Sequence, residues 1–161
     1  MPHIDKHLSW CLKDPKRLIK IEPNDDLAQK HIEKSKYNYK VLLALENLKY
    51  HDWALNVGFY SIYHCFLAIL SKLGYESRNQ SCTITVMQIL IQEKKIDLDL
   101  DLVLQFDTLD AESSLTSPTI RLRREESTYG VETSIDIKQL ENIKKLAIKI
   151  QQETIRILSK Q

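Results

Sequence analysis

Asp52-Trp53-Ala54-Leu55-Asn56-Val57-Gly58-Phe59-Tyr60-Ser61-Ile62-Tyr63-His64-Cys65-Phe66-Leu67-Ala68-Ile69-Leu70, closed by Gly74-Tyr75, reads as a buried, aromatic-rich helix with a glycine stop. Ala54, Val57, Ser61, Cys65 and Ala68 recur at helical spacing as a stripe of small residues. Trp53, Phe59, Tyr60, Tyr63, Phe66 and Leu67 fill the other sides. A helix apolar on nearly every side belongs at the centre of a bundle, and its small-residue face lets a neighbouring helix come close. Asp52 is a good N-cap and Gly74 a natural terminator. The stretch predicts a central helix from near Asp52 to Gly74.

Working outward, Pro23-Asn24 predicts the start of another long helix. Asn24 can cap it, and Asp25 and Asp26 complement the positive end of its dipole. Ala28, Ile32, Ser35, Tyr39, Leu42, Leu43 and Leu45 carry the helical period to about Lys49. Upstream, Ile4 to Lys13 reads as a short helix ending before Pro15, and Lys16 to Glu22 as a connector. Downstream, Ser81 is expected to cap a helix with Ile84, Met87, Leu90 and Ile91 inward. Leu98, Leu100, Leu102, Leu104 and Phe106 alternate as a strand would, but Leu102, Phe106 and Leu109 also fit a helix, which is the preferred reading. Pro118 suits the first turn of a further helix carrying Arg121, Arg123 and Arg124. Asp136 to Lys160 closes the chain as a helix with Ile137, Leu140, Ile143, Leu146, Ala147, Ile150, Thr154 and Ile157 on one side. The sum is an all-α, up-and-down bundle of about five helices. Residues 1–161 form one domain, with 1–22 as an N-terminal extension and 23–161 as the bundle.

Composition excludes more than it assigns. A formal net charge of +1 gives no global pull towards nucleic acid or membrane. The longest uninterrupted apolar run, Phe66 to Leu70, is far short of a membrane span, and the N-terminus lacks a signal peptide's apolar region. A cytoplasmic protein is expected. The three cysteines Cys11, Cys65 and Cys82 are odd in number and widely spaced, which predicts no disulfide framework. The three glycines Gly58, Gly74 and Gly130 cannot build a clustered phosphate-binding loop.

Candidate chemistry is sparse. Arg121, Arg123 and Arg124 suit phosphate, though Glu125 and Glu126 beside them also suit a solvated, salt-bridged helix face. His64 lies inside the apolar run and reads as a packed histidine with a satisfied hydrogen bond. His3, His7 and Cys11 share one helix face, but no fourth ligand is evident, so no metal and no cofactor are expected. Cys82 reads as structural.

The order Trp53-Ala54, Gly58-Phe59-Tyr60-Ser61-Ile62-Tyr63-His64, Ala68-x-Leu70 and Gly74 resembles the HEPN superfamily. Ser77 to Cys82 is similar to the loop that follows there, and Arg124-Glu125-Glu126-Ser127-Thr128-Tyr129 to its second signature. Trp10-Cys11-Leu12 and Ile21-Glu22-Pro23 resemble an N-terminal extension of some prokaryotic members. Many HEPN proteins are metal-independent ribonucleases or toxins that pair an Arg with a His a few residues downstream. The resemblance implies phosphate binding by the Arg and proton transfer by the His. It also implies a homodimer.

This chain departs from that pattern at the decisive place. Tyr129 stands where the His would be, and Gln80 stands in the loop where relatives often carry His. All five histidines, His3, His7, His31, His51 and His64, precede residue 65. A tyrosine with an ordinary pKa near ~10 is a poor general base at neutral pH. The resemblance then implies a non-catalytic or toxin-like partner of a minimal nucleotidyltransferase, contacting nucleotide or RNA phosphate through Arg124, with Tyr129 as a modification target. The alternative it implies is a ribonuclease with an altered Arg124/Tyr129 site.

Overall fold

The computed structural model describes residues 2–108 and 137–160. Helix α1 is Pro2–Leu12, strand β1 Leu18–Lys20, helix α2 Asp25–Asn47 and helix α3 His51–Leu73. Strand β2 is Tyr75–Ser77, α4 is Gln80–Gln92, α5 is Leu100–Thr108 and the closing helix, α6, is Ile137–Ser159. The molecule is an all-α helical bundle with one small two-stranded sheet.

α3 is its axis. Ala54, Ile62, Cys65, Phe66, Ala68, Ile69 and Leu70 are completely buried, with α2 and α6 packed against it and α4 on a further side. The helix is long and apolar enough to cross a membrane, but its faces are occupied by the rest of the bundle. Gly58 marks the closest approach. A Cβ built there would lie 2.5 Å from Ile143 Cγ2 on α6 and 2.9 Å from Leu42 Cδ1 on α2. On α6, Leu140, Ile143, Leu146, Ala147, Ile150, Thr154 and Ile157 are buried, as their spacing predicts. Ile137, expected inward with them, is exposed at the first turn.

The helix ends correct several sequence expectations. Asn24 does cap α2, accepting from Leu27 N–H at 2.9 Å. Asp52 is not the cap of α3. Lys49 takes a left-handed conformation (φ 68°), its N–H bonding Glu46 C=O and that of Tyr50 bonding Leu45 C=O. This tight helix end starts α3 so early that Asp52 falls in its first turn, where it complements the dipole. Ser81 is not the cap of α4 either. Asn79 Oδ1 takes that place, accepting from Cys82 N–H at 3.0 Å. Gly74 ends α3 at φ 94°, as its residue type predicts. The ambiguous Leu98–Phe106 segment is helical from Leu100 on, with Leu102, Val103 and Phe106 turned into the core.

The connector expected over Lys16 to Glu22 contains β1. It pairs antiparallel with β2, Leu18 opposite Ser77 and Lys20 opposite Tyr75. Bonds from Ile21 N–H to Gly74 C=O and from Arg78 N–H to Arg17 C=O extend the ribbon. It folds the segment before β1 back beside the segment after β2, so α1 docks on α4. There Cys11 and Cys82 form a disulfide across a sequence separation of 71. The expectation of unpaired cysteines is therefore wrong for these two; Cys65 alone is a free, buried thiol.

Because Ile143 is branched at Cβ and cannot swing its Cγ2 aside freely, Gly58→Ala must push α6 from α3. We expect it to destabilise the fold by roughly 1–3 kcal/mol despite alanine's better helix propensity. Urea denaturation of both chains checks this, and a variant as stable as the parent refutes it.

Candidate functional site

The sequence-predicted site residues Arg121, Arg123, Arg124 and Tyr129 lie outside the described residues, and Pro118 with them. What is described is the end of the bundle towards which that segment leads. α6 runs beside α3, since Gly58 faces Ile143 and Thr154 acts on the Cys65 thiol further along. Its start therefore stands at the same end as His51 and Asp52. Two polar side chains are oddly placed there. The amide oxygens Asn56 Oδ1 and Gln139 Oε1 are buried with no hydrogen-bond partner among the described residues. Burying an unmet acceptor is costly, so this end has unspent hydrogen-bonding capacity.

Towards the opposite end, a polar seam crosses the core between α2, α3 and α6. Ser35 Oγ donates to Ser61 C=O at 2.6 Å, and Ser61 Oγ donates to Ser35 C=O at 2.9 Å. Gln151 Nε2 donates to Ser35 Oγ at 3.1 Å. Cys65 Sγ lies 3.2 Å from Ser35 Oγ, and burial pushes its thiol up to about 11. This thiol is inert rather than nucleophilic.

The seam ends in a histidine pair. His31 on α2 and His64 on α3 meet through their Nδ1 atoms at 3.0 Å. One nitrogen must donate and the other accept, so both rings cannot be protonated in this geometry. Burial is the main cause that lowers His64 to about 4, helped by His31 and Lys34. His31 is lowered too, by burial, with Glu76 opposing. The sequence reading of His64 as a packed, hydrogen-bonded histidine fits this. Its partner was not legible, because the two lie 33 residues apart.

A second cluster joins α1 to α4. His7 Nε2 lies 3.1 Å from Ser81 Oγ, and Ser81 Oγ donates to Asn79 Oδ1 at 2.7 Å. The His7 ring stacks on Trp10 (5.3 Å between centroids, 14° between planes), and the Arg17 guanidinium sits 3.7 Å over Trp10. His7, Cys11 and Cys82 present ligand atoms within 4.8 Å of one another. His7 and Cys11 were legible from their spacing. Cys82 was not, and His3 is absent from the group.

The helix C-termini of α3, α4 and α6 also frame a groove of about 740 Å³. Lys72, Lys94, Lys95, Arg156 and Lys160 line it together with Asp25 and Asp97. Lys72 is paired with Asp25 at 3.5 Å, and Arg156 with Glu153 at 2.6 Å. Basic residues at three converging C-termini answer the helix dipoles, which accounts for the groove without a ligand.

No protein-family model matches the chain, and no curated protein matches it.

The histidine pair makes stability depend on pH. Both rings are less basic folded than unfolded, so the fold favours their neutral forms. That contribution is fully present above the ordinary value of 6.5 and is lost as pH falls through about 4 for His64. We expect unfolding free energy to decline over this interval and to decline less in His64→Gln. Denaturant melts at stepped pH test it; equal slopes in the two chains would sink the assignment.

Proposed function

We propose that the chain is a HEPN-like module that acts without catalysis, as a homodimer partnered with a small nucleotidyltransferase. On this reading it contacts nucleotide or RNA phosphate through Arg124, with Arg121 and Arg123 beside it, and works in the cytoplasm. The observation that carries the non-catalytic reading is the state of the histidines. The two that meet, His31 and His64, are bonded to each other and kept neutral. A ring held at about 4, with Nδ1 committed to its neighbour, is a weak general base at neutral pH. The all-α bundle with a glycine-ended central helix is the architecture the resemblance implies. Tyr129, in the position of the missing His, is the natural acceptor for a nucleotidyl group.

One observation favours a second reading, a metal-independent ribonuclease with an altered site. His51 and the unmet oxygens of Asn56 and Gln139 stand where α6 begins, and Tyr129 precedes that helix by only eight residues of sequence. On this reading Arg124 would hold the phosphate and His51 would supply the proton transfer.

The two readings separate in one set of assays. Purified protein incubated with tRNA and mRNA should leave both intact. Cleavage abolished by Arg124→Ala and by His51→Ala establishes the second reading and removes the first. With a partner nucleotidyltransferase and ATP, intact mass should rise by a nucleotidyl group in the parent chain and not in Tyr129→Phe. A monomer in light scattering at high concentration removes the dimer.

A further inference from the structure

We propose that His7, Cys11 and Cys82 form a binding site for a zinc-class divalent ion, open when Cys11 and Cys82 are reduced and closed by their disulfide.

The donor set is the first argument. Two thiols and an imidazole are the ligand types that zinc selects, and their donor atoms already lie within 4.8 Å of one another. Both cysteines are completely buried, so a thiolate formed there has no water to stabilise it and gains most from a cation. Cys82 also lies in the first turn of α4, where the helix dipole favours a negative sulfur. His7 and Cys11 are one turn apart on the same face of α1, so two of the three ligands come from one rigid element.

The hydrogen-bond network around His7 is the second and independent argument. Ser81 Oγ spends its hydrogen on Asn79 Oδ1. Its contact with the imidazole therefore requires Nε2 to carry the proton. The lone pair free to bind a metal is then on Nδ1. A ligating histidine is oriented in the same manner, its other nitrogen donating to a fixed oxygen. Trp10 stacked against the ring, and Arg17 over Trp10, hold its plane. A structural disulfide needs none of this. Asn79, besides capping α4, thus sets the tautomer of a histidine 72 positions away in sequence (79 − 7).

The chemistry balances with a thiol as reductant. Two molecules of a small thiol become one disulfide, and Cys11–Cys82 becomes two thiols. Binding the ion then releases the two thiol protons. Once the disulfide is reduced, the two sulfurs must stand about 3.7 Å apart around a tetrahedral ion with metal–sulfur bonds of about 2.3 Å. α1 makes its substantial contacts only with α4 and β1 among the described elements, so the separation of the sulfurs falls mainly on the α1–α4 junction. Three protein ligands leave the fourth position to water or an added ligand.

The test uses the full chain. Protein reduced with a phosphine, freed of metal and kept anaerobic is titrated with cobalt(II). We expect one equivalent to bind with thiolate-to-metal charge-transfer absorption and the visible bands of tetrahedral cobalt, and zinc to displace it. The oxidised chain should give neither signal, a comparison that needs no substitution. His7→Gln should weaken binding by about tenfold or more; Cys11→Ser or Cys82→Ser should weaken binding and lower the charge-transfer band, and the double variant should lose it. Reduced protein without that absorption at stoichiometric cobalt overturns the proposal and leaves a structural disulfide. So does an unchanged spectrum in a Cys11→Ser/Cys82→Ser chain that keeps its helical circular dichroism.

Discussion

The close packing of α3 against α2 and α6 at Gly58 is the constraint on which the rest of the molecule depends. With no side chain there, Leu42 and Ile143 close on the helix backbone from two sides. One turn further on, Ser61 and Ser35 can then exchange hydroxyl-to-carbonyl bonds across α2 and α3. These two bonds satisfy both hydroxyls in a region with no access to water. Gln151 on α6 adds its amide to the same serine. The three helices are thus fixed in rotation as well as in distance, and the histidine pair at the end of the seam inherits its geometry from that fixation.

The small sheet does a different job. Three residues a side cannot contribute much stability alone. The ribbon instead decides connectivity, because it turns the chain before Leu18 back along the chain after Ser77. Everything at the α1–α4 junction follows from it: the disulfide, the His7–Ser81 contact and the Trp10–Arg17 stack. A segment expected to be an N-terminal extension is covalently bound to the bundle as a result. A disulfide of this kind persists in oxidising compartments and in the cytosol of hyperthermophiles, and is reduced in most other cytosols. The state of the junction therefore reports where the protein works.

Much of the fold was legible because helices write their burial with a period. On α6 the periodic pattern finds the inward set almost residue for residue; it misses the buried Gln139 and wrongly includes Ile137, which is exposed at the first turn. The ends were read less well. Asp52 and Ser81 are good capping types, yet Tyr50 and Asn79 hold those places. The tight turn at Lys49 and the length of β2 fix where each helix can start, and propensity only chooses among what geometry leaves. The candidate site was hardly legible at all. Spacing put His7 with Cys11, but nothing local puts Cys82 or Ser81 beside them, or His31 beside His64.

Local pattern in the sequence identifies α2, α3, α4 and α6 as helices, most of their buried faces and the Gly74 stop, since these depend on neighbours three or four positions apart; Leu43, expected inward on α2, is exposed. The sequence also determined the absence of a clustered-glycine phosphate loop. Tertiary packing settles which thiols meet, which histidines bond to each other and which buried oxygens find no partner among the described residues. Those pairings join residues tens of positions apart, and they depend on how whole helices are brought together, which no local pattern encodes.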